Sequence, residues 1–199
     1  MSPSNKKSNR QSSKNKTNRE KLAAAQRQAK IRAAAVVGGL LAVVVGGTVA
    51  WTAVNRLDGV TSYRYLGSVH QTEPVKYAES PPVGGPHNPT WLNCGVYTKP
   101  VEDDLAVHSL EHGAVWITYR ADLPEAQRRT LEQLVDGRTY TLLSPYPGLK
   151  EAVVISAWNR QLRASDANDP RLAKFLAKFE QGTQAPERGA PCSGGVTGA

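Results

Sequence analysis

The chain has 199 residues, two cysteines and a formal net charge of +8, but that charge is not spread along it. Residues 1–32 hold ten Lys or Arg against one acid, Glu20, a balance of +9, while the remainder holds 15 basic and 16 acidic residues, a balance of −1. A basic stretch rich in Ser, Asn, Gln and Lys, almost without aromatics and with no groove-reading motif, argues against a nucleic-acid partner, and the chain carries no Walker or dinucleotide loop and no lipidation signal.

Directly behind this tail comes an uncharged run, residues 33–54. A helix needs about 20 apolar residues to cross a bilayer's hydrocarbon core, and Trp51 sits where an interfacial aromatic belongs. The expectation is a basic cytoplasmic tail over 1–32, one transmembrane helix over 33–54 and an extracytoplasmic domain over 60–199, because basic flanks stay inside. The bilayer is then a partner through 33–54, with anionic lipid at the tail. A cleaved signal peptide competes, with Thr48-Val49-Ala50 as its cleavage site, but both the basic region and the apolar run exceed the usual lengths.

The residues beyond the run suffice for one domain with a core. Residues 61–69 and 75–77 read as short strands. Residues 80–100 carry five prolines and three glycines, a density that forbids regular structure. Asp103 or Asp104 can cap a short helix running to His112 and ended by Gly113. Residues 114–119 form a β-branched and aromatic strand. Pro124 opens a helix that reaches Val135 and closes at Gly137. Strands follow over 139–143 and 152–158, around the turn Ser144-Pro-Tyr-Pro-Gly148. Asp169-Pro170 starts a last helix with Leu172, Phe175, Leu176 and Phe179 on one face. The order β-β-α-β-α-β-β-α predicts an α+β domain, a small mixed sheet with helices covering one side.

Cys94 and Cys192 both fall in the expected outer domain, where an even pair is more often a disulfide than a metal or catalytic site. Closing a loop of about 98 residues would contribute roughly 4–5 kcal/mol in the chain-entropy model. It would also pin the Gly-, Pro- and Ser-rich tail 181–199, which otherwise reads as disordered.

The segment Ala106-Val-His-Ser-Leu-Glu-His-Gly113 carries the chemistry. On a helix His108 and His112 are one turn apart with Glu111 between them, while Ala106 and Leu110 point into a core. Two imidazoles at i and i+4 can offer two nitrogens to one metal ion. The string also reads H-x-x-E-H, the inverted zincin pattern in which Glu111 would be the general base, although the third ligand such enzymes need is not marked here. His87 lies in Gly84-Gly-Pro-His-Asn-Pro89, a loop whose glycines and prolines fix the backbone. His70 is a candidate fourth ligand, and neutral imidazoles suit zinc or copper. Structural roles compete: His87 can hydrogen-bond Glu111 or cap the helix, and His112 suits a helix C-terminus. Ser109 lacks the turn a nucleophile needs, and Trp91, Tyr97, Trp116 and Trp158 read as core or pocket walls.

Pro81-Pro-Val-Gly-Gly-Pro-His87, Trp91-Leu-Asn-Cys-Gly-Val-Tyr97, Val107-His-Ser-Leu-Glu-His-Gly113 and Leu143-Ser-Pro-Tyr-Pro-Gly148 together resemble the bacterial membrane-anchored family catalogued as domain of unknown function 3105. The resemblance covers roughly residues 60–199. It implies an anchored extracytoplasmic domain whose signature histidines match His87, His108 and His112, with Glu111 between the last two. Such domains usually carry Thr-Ser-Gly where this chain has Val83-Gly84-Gly85, and the resemblance brings no activity with it. Two classes of function follow: a domain holding zinc or copper outside the membrane, or a non-catalytic envelope module that binds a protein or small ligand through its Pro-rich loop and aromatics.

Overall fold

The computed structural model describes residues 27, 28, 30 and 57–198. Residues 1–56 and 57–199 are two separate units. In the first, residues 27, 28 and 30 are helical and exposed, and the expected span over 33–54 lies outside the described residues. Among the described residues no helix is long and apolar enough to cross a membrane.

The second unit is α+β. Its strands are β1 (Val60–Ser62), β2 (Gly95–Val96), β3 (Val115–Tyr119), β4 (Thr141–Pro145), β5 (Val153–Ala157) and β6 (Arg160–Ala164), and its helices are α1 (Asp103–Glu111), α2 (Glu125–Val135) and α3 (Pro170–Phe179). They make one mixed sheet in the order β1-β6-β5-β3-β4-β2. The pairs β2–β4 and β3–β4 are parallel, and the others antiparallel. Parallel neighbours need a long crossover, which α2 supplies between β3 and β4. Antiparallel β5 and β6 need only the two-residue turn Trp158-Asn159, where Asn159 takes a φ of 60°.

The expectation of helices on one side is corrected here. Strands β3, β4 and β5 are buried along their whole length, so both sheet faces are covered. Val115, Ile117, Tyr119, Leu143, Val153 and Ile155 pack with the apolar stripes of α2 and α3. Trp116, Leu142 and Val154 fall on the opposite face by the period-2 alternation and pack with Ala106, Val107 and Leu110 of α1. Continuous apolar strands are the mark of burial on both faces, and burying side chains of this size stabilises by about 1.5–3 kcal/mol each.

Local signals place the helices within a residue or two. Asp169 caps α3, its carboxylate accepting from Arg171 N at 2.9 Å, with Pro170 in the first turn. Glu102 rather than Asp103 or Asp104 is the N-cap of α1, and both aspartates sit in its first turn. The first expected strand shrinks to β1, and residues 75–77 form no strand. The expectation lacked β2 and β6. Strand β6 is broken up by Arg160 and Arg163, and it pairs because the Asn159 turn folds it back onto β5.

The tail 181–198 is ordered. A disulfide joins Cys94 to Cys192 with Cα atoms 5.3 Å apart. Backbone N–H groups of Gln181, Glu187 and Gly189 donate to the carbonyls of Gly113, Glu111 and His112. The carbonyls of Glu111 and His112 are among those a helix leaves without partners at its C-terminal end. The tail therefore serves as the C-terminal cap of α1, the helix that carries the histidines.

Candidate metal centre

Helix α1 is buried from Ala106 through Glu111, because the sheet covers one side and the loop and tail segments cover the other. Its outer side presents His108, Glu111 and His112, which are 4%, 0% and 3% exposed. Leu110 and Ala106 face the core, as helical spacing predicts.

The Pro-rich loop delivers His87. Gly85 takes a φ of 108°, a conformation that favours glycine, and its carbonyl then lies 2.8 Å from His87 Nδ1. His70 arrives on the preceding segment through a short parallel bridge: His87 N donates to Val69 O, and Gln71 N donates to His87 O. Gly67 makes that approach feasible. A Cβ at this position would stand 2.5 Å from Pro186 Cβ and 2.8 Å from Glu111 Oε1. With no side chain in the way, Ser68 N donates to Glu111 Oε1 at 2.5 Å.

One ring nitrogen each of His70, His87 and His108 and one carboxylate oxygen of Glu111 lie within 4.8 Å of one another, a group able to hold a metal ion. His87 Nε2 is 2.9 Å and His70 Nε2 3.5 Å from Glu111 Oε2. A tetrahedral ion with bonds of about 2.0–2.1 Å spaces its ligand atoms about 3.3 Å apart. The His70–Glu111 edge already has that size, and the wider spacings close with shifts of about an ångström.

The remaining nitrogens are equally informative. Nδ1 of His87, His108 and His112 faces the backbone carbonyls of Gly85, Asn88 and Pro191 at 2.8, 2.6 and 2.7 Å. A carbonyl only accepts, so each Nδ1 carries the proton, and in the neutral ring each Nε2 holds a lone pair. This arrangement orients imidazoles for a cation. Burial, with neighbouring imidazoles adding to it, pushes His108 down to about 4 against the pull of its Asn88 hydrogen bond. Burial pushes Glu111 up, but the contact with His87, the Ser68 hydrogen bond and nearby imidazoles outweigh it and hold the carboxyl below its usual range. Neutral His108 and ionised Glu111 are the ligating forms.

His112 falls outside this group. It joins His108 and Glu187 in a second one, also within 4.8 Å, with His112 Nε2 3.6 Å from Glu187 Oε2. Glu187 was not expected as a candidate, although lying five residues before Cys192 places it beside the histidine helix once the disulfide is drawn. Trp91 walls the site, its ring 5.8 Å from His108 and 5.2 Å from His112, and Trp158 stands 5.8 Å from His87. Trp91 Nε1 is buried without a hydrogen-bond partner. Ser109 Oγ is committed to Leu92 O at 2.6 Å, away from any nucleophilic role. Both cysteines are in the disulfide.

No curated protein and no solved structure matches the chain. The family described as "Protein of unknown function (DUF3105)" matches residues 68–194, a span that holds all four histidines, Glu111, Glu187 and both cysteines. On that match, covering well over half its length, the chain belongs to the DUF3105 family.

Proposed function

We propose that the domain binds one zinc(II) ion through His70, His87, His108 and Glu111, outside a membrane to which residues 33–54 anchor it. The observation that carries the metal reading is the pair of carbonyl contacts at His87 and His108, which leave lone-pair nitrogens beside a buried carboxylate. Zinc is favoured over copper(I) by donor chemistry. Copper(I) prefers thiolate and thioether, yet the cysteines are oxidised and the one methionine is Met1. Three imidazoles and a carboxylate suit zinc in a tetrahedron. Four protein ligands leave no open position, so the site holds the ion rather than activating water on it. The anchor rests on the +9 tail set against an uncharged span.

A second reading has its own support. If His87 is protonated, it donates to both Gly85 O and Glu111 Oε2, and the cluster is satisfied without an ion. The domain is then an envelope binding module, and a cleft of ≈690 Å³ lined by Tyr77, Asn88, Asp103, Asp104 and Tyr146 is its binding surface. Metal analysis of purified 57–199, followed by zinc titration of the wild type, His87→Ala and His108→Ala, separates the two. One tightly held zinc in the wild type, weakened in both variants, supports the metal reading. Equal weak binding in all three leaves the histidines structural.

A further inference from the structure

The two groups of ligating side chains share one residue, His108. Its Nδ1 is committed to Asn88 O at 2.6 Å, so Nε2 is the nitrogen left to ligate, and a neutral imidazole offers one lone pair there. His108 therefore serves one ion at a time. A bridged two-ion centre would need the Nδ1 proton that Asn88 O holds in place.

The groups differ in how many ligands they supply. The inner one has four, His70, His87, His108 and Glu111. The outer one has three, His108, His112 and Glu187, and Glu187 is 39% exposed. His112 repeats the arrangement of His87: Nδ1 on a carbonyl, Nε2 facing a carboxylate oxygen. Its 3.6 Å separation is too long for a hydrogen bond and close to the edge of a tetrahedral ion, about 3.3 Å. Ser68 ties the two groups together, its N–H donating to Glu111 Oε1 and its hydroxyl to Glu187 Oε1 at 3.3 Å.

We propose that His108, His112 and Glu187 form a loading position through which a single zinc ion enters and leaves the inner site. The proposal rests on the metal reading above. With three protein ligands, the loading position keeps its fourth for water or an incoming small chelate, and ligands exchange readily there. The ion then moves inward without leaving His108. It exchanges His112, Glu187 and the water for His87, Glu111 and His70. No oxidation state changes, and the water returns to solvent.

The prediction is kinetic. A loading position alters the rates of uptake and release together and leaves the equilibrium affinity of the inner site nearly untouched. The test follows zinc uptake by the wild-type domain in rapid mixing, and release to an excess of a strong chelator, beside Glu187→Gln and His112→Asn. Glu187→Gln keeps the shape of a side chain that is 39% exposed and an acceptor oxygen for the Ser68 hydroxyl, so the fold is expected to persist. Both variants are expected to bind one zinc with affinity within about threefold of wild type while uptake and release slow about tenfold. His87→Ala is expected to lose affinity instead. Wild-type rates in Glu187→Gln overturn the loading position and leave the zinc reading standing. Two zinc ions per wild-type domain overturn it as well. Absence of zinc binding in the wild type overturns both.

Discussion

His87 Nε2 stands 2.9 Å from Glu111 Oε2, with both side chains wholly shielded from solvent. Because His87 Nδ1 already donates to Gly85 O, a neutral His87 would set a lone pair against a carboxylate. Only a positive charge, a proton or a metal ion, makes that contact favourable. Replacing the carboxylate therefore tests which charge is used. Glu111→Gln keeps an acceptor for Ser68 N–H and removes the negative ligand. Zinc affinity measured by chelator competition is expected to fall about 10–100-fold; an unchanged affinity would take Glu111 out of the ligand set.

The pH dependence of the metal-free domain follows from His108. Its folded value of about 4 lies below the unfolded value of 6.5, so the folded state resists protonation that the unfolded state accepts. The resulting stability is complete above 6.5, declines as pH falls toward 4 and is gone below that. Urea midpoints between pH 7.5 and 4 are expected to fall more steeply for the wild type than for His108→Gln. Parallel curves would show that His108 is not held neutral.

The disulfide holds the tail that caps α1. The double variant Cys94→Ser/Cys192→Ser is expected to lose up to roughly 4–5 kcal/mol of stability on the chain-entropy model. Hydrogen exchange should then quicken first at Gln181, Glu187 and Gly189, whose N–H groups satisfy the end of the helix. Equal exchange in the oxidised and double-variant proteins would mean that the tail holds without the bond.

Gly85 sets the direction of the carbonyl that orients His87. Gly85→Ala places a Cβ in the left-handed region at a cost of about 1–2 kcal/mol. A Cβ would also meet the Tyr65 ring at 3.4 Å. Calorimetry is expected to show a lower Tm together with weaker zinc binding. A stability loss with intact affinity would separate the loop's folding role from its role at the site.

Topology is testable on whole cells. With the native cysteines paired, Arg10→Cys and Glu125→Cys each introduce one reactive thiol. A membrane-impermeant maleimide is expected to label position 125 and spare position 10. The reverse pattern would end the anchored reading.

Local chemistry made parts of this legible from residues alone. The i, i+4 spacing puts His108 and His112 on one side of α1 and Leu110 in the core, because a helix turns by a constant angle per residue. Asp169-Pro170 marks the start of α3 by cap chemistry that involves only neighbouring residues. The Gly-Pro loop declares a fixed backbone at His87. Two cysteines on one side of an expected membrane leave a single intramolecular pairing.

Other features depend on surfaces distant in sequence. Burial on both faces of β3 and β5 follows from what packs on each side, and an uninterrupted apolar strand looks the same with one helix layer or two. Strand β6 carries two arginines and forms through its turn rather than its composition. Helical spacing paired His108 with His112, and they do meet, but tertiary approach divided the candidate ligands into two groups that share His108: His70, His87 and Glu111 in one, His112 and Glu187 in the other. That division rests on Gly67 letting residues 67–70 pass between the carboxylate and Pro186, and on a disulfide drawing the tail across the helix end. The sequence by itself determined which histidines can ligate and which helix face bears two of them, but not that Glu187 would join them. Tertiary structure alone decided which of them meet, because ligand geometry depends on the approach of backbones far apart in sequence, and no local periodicity encodes that distance.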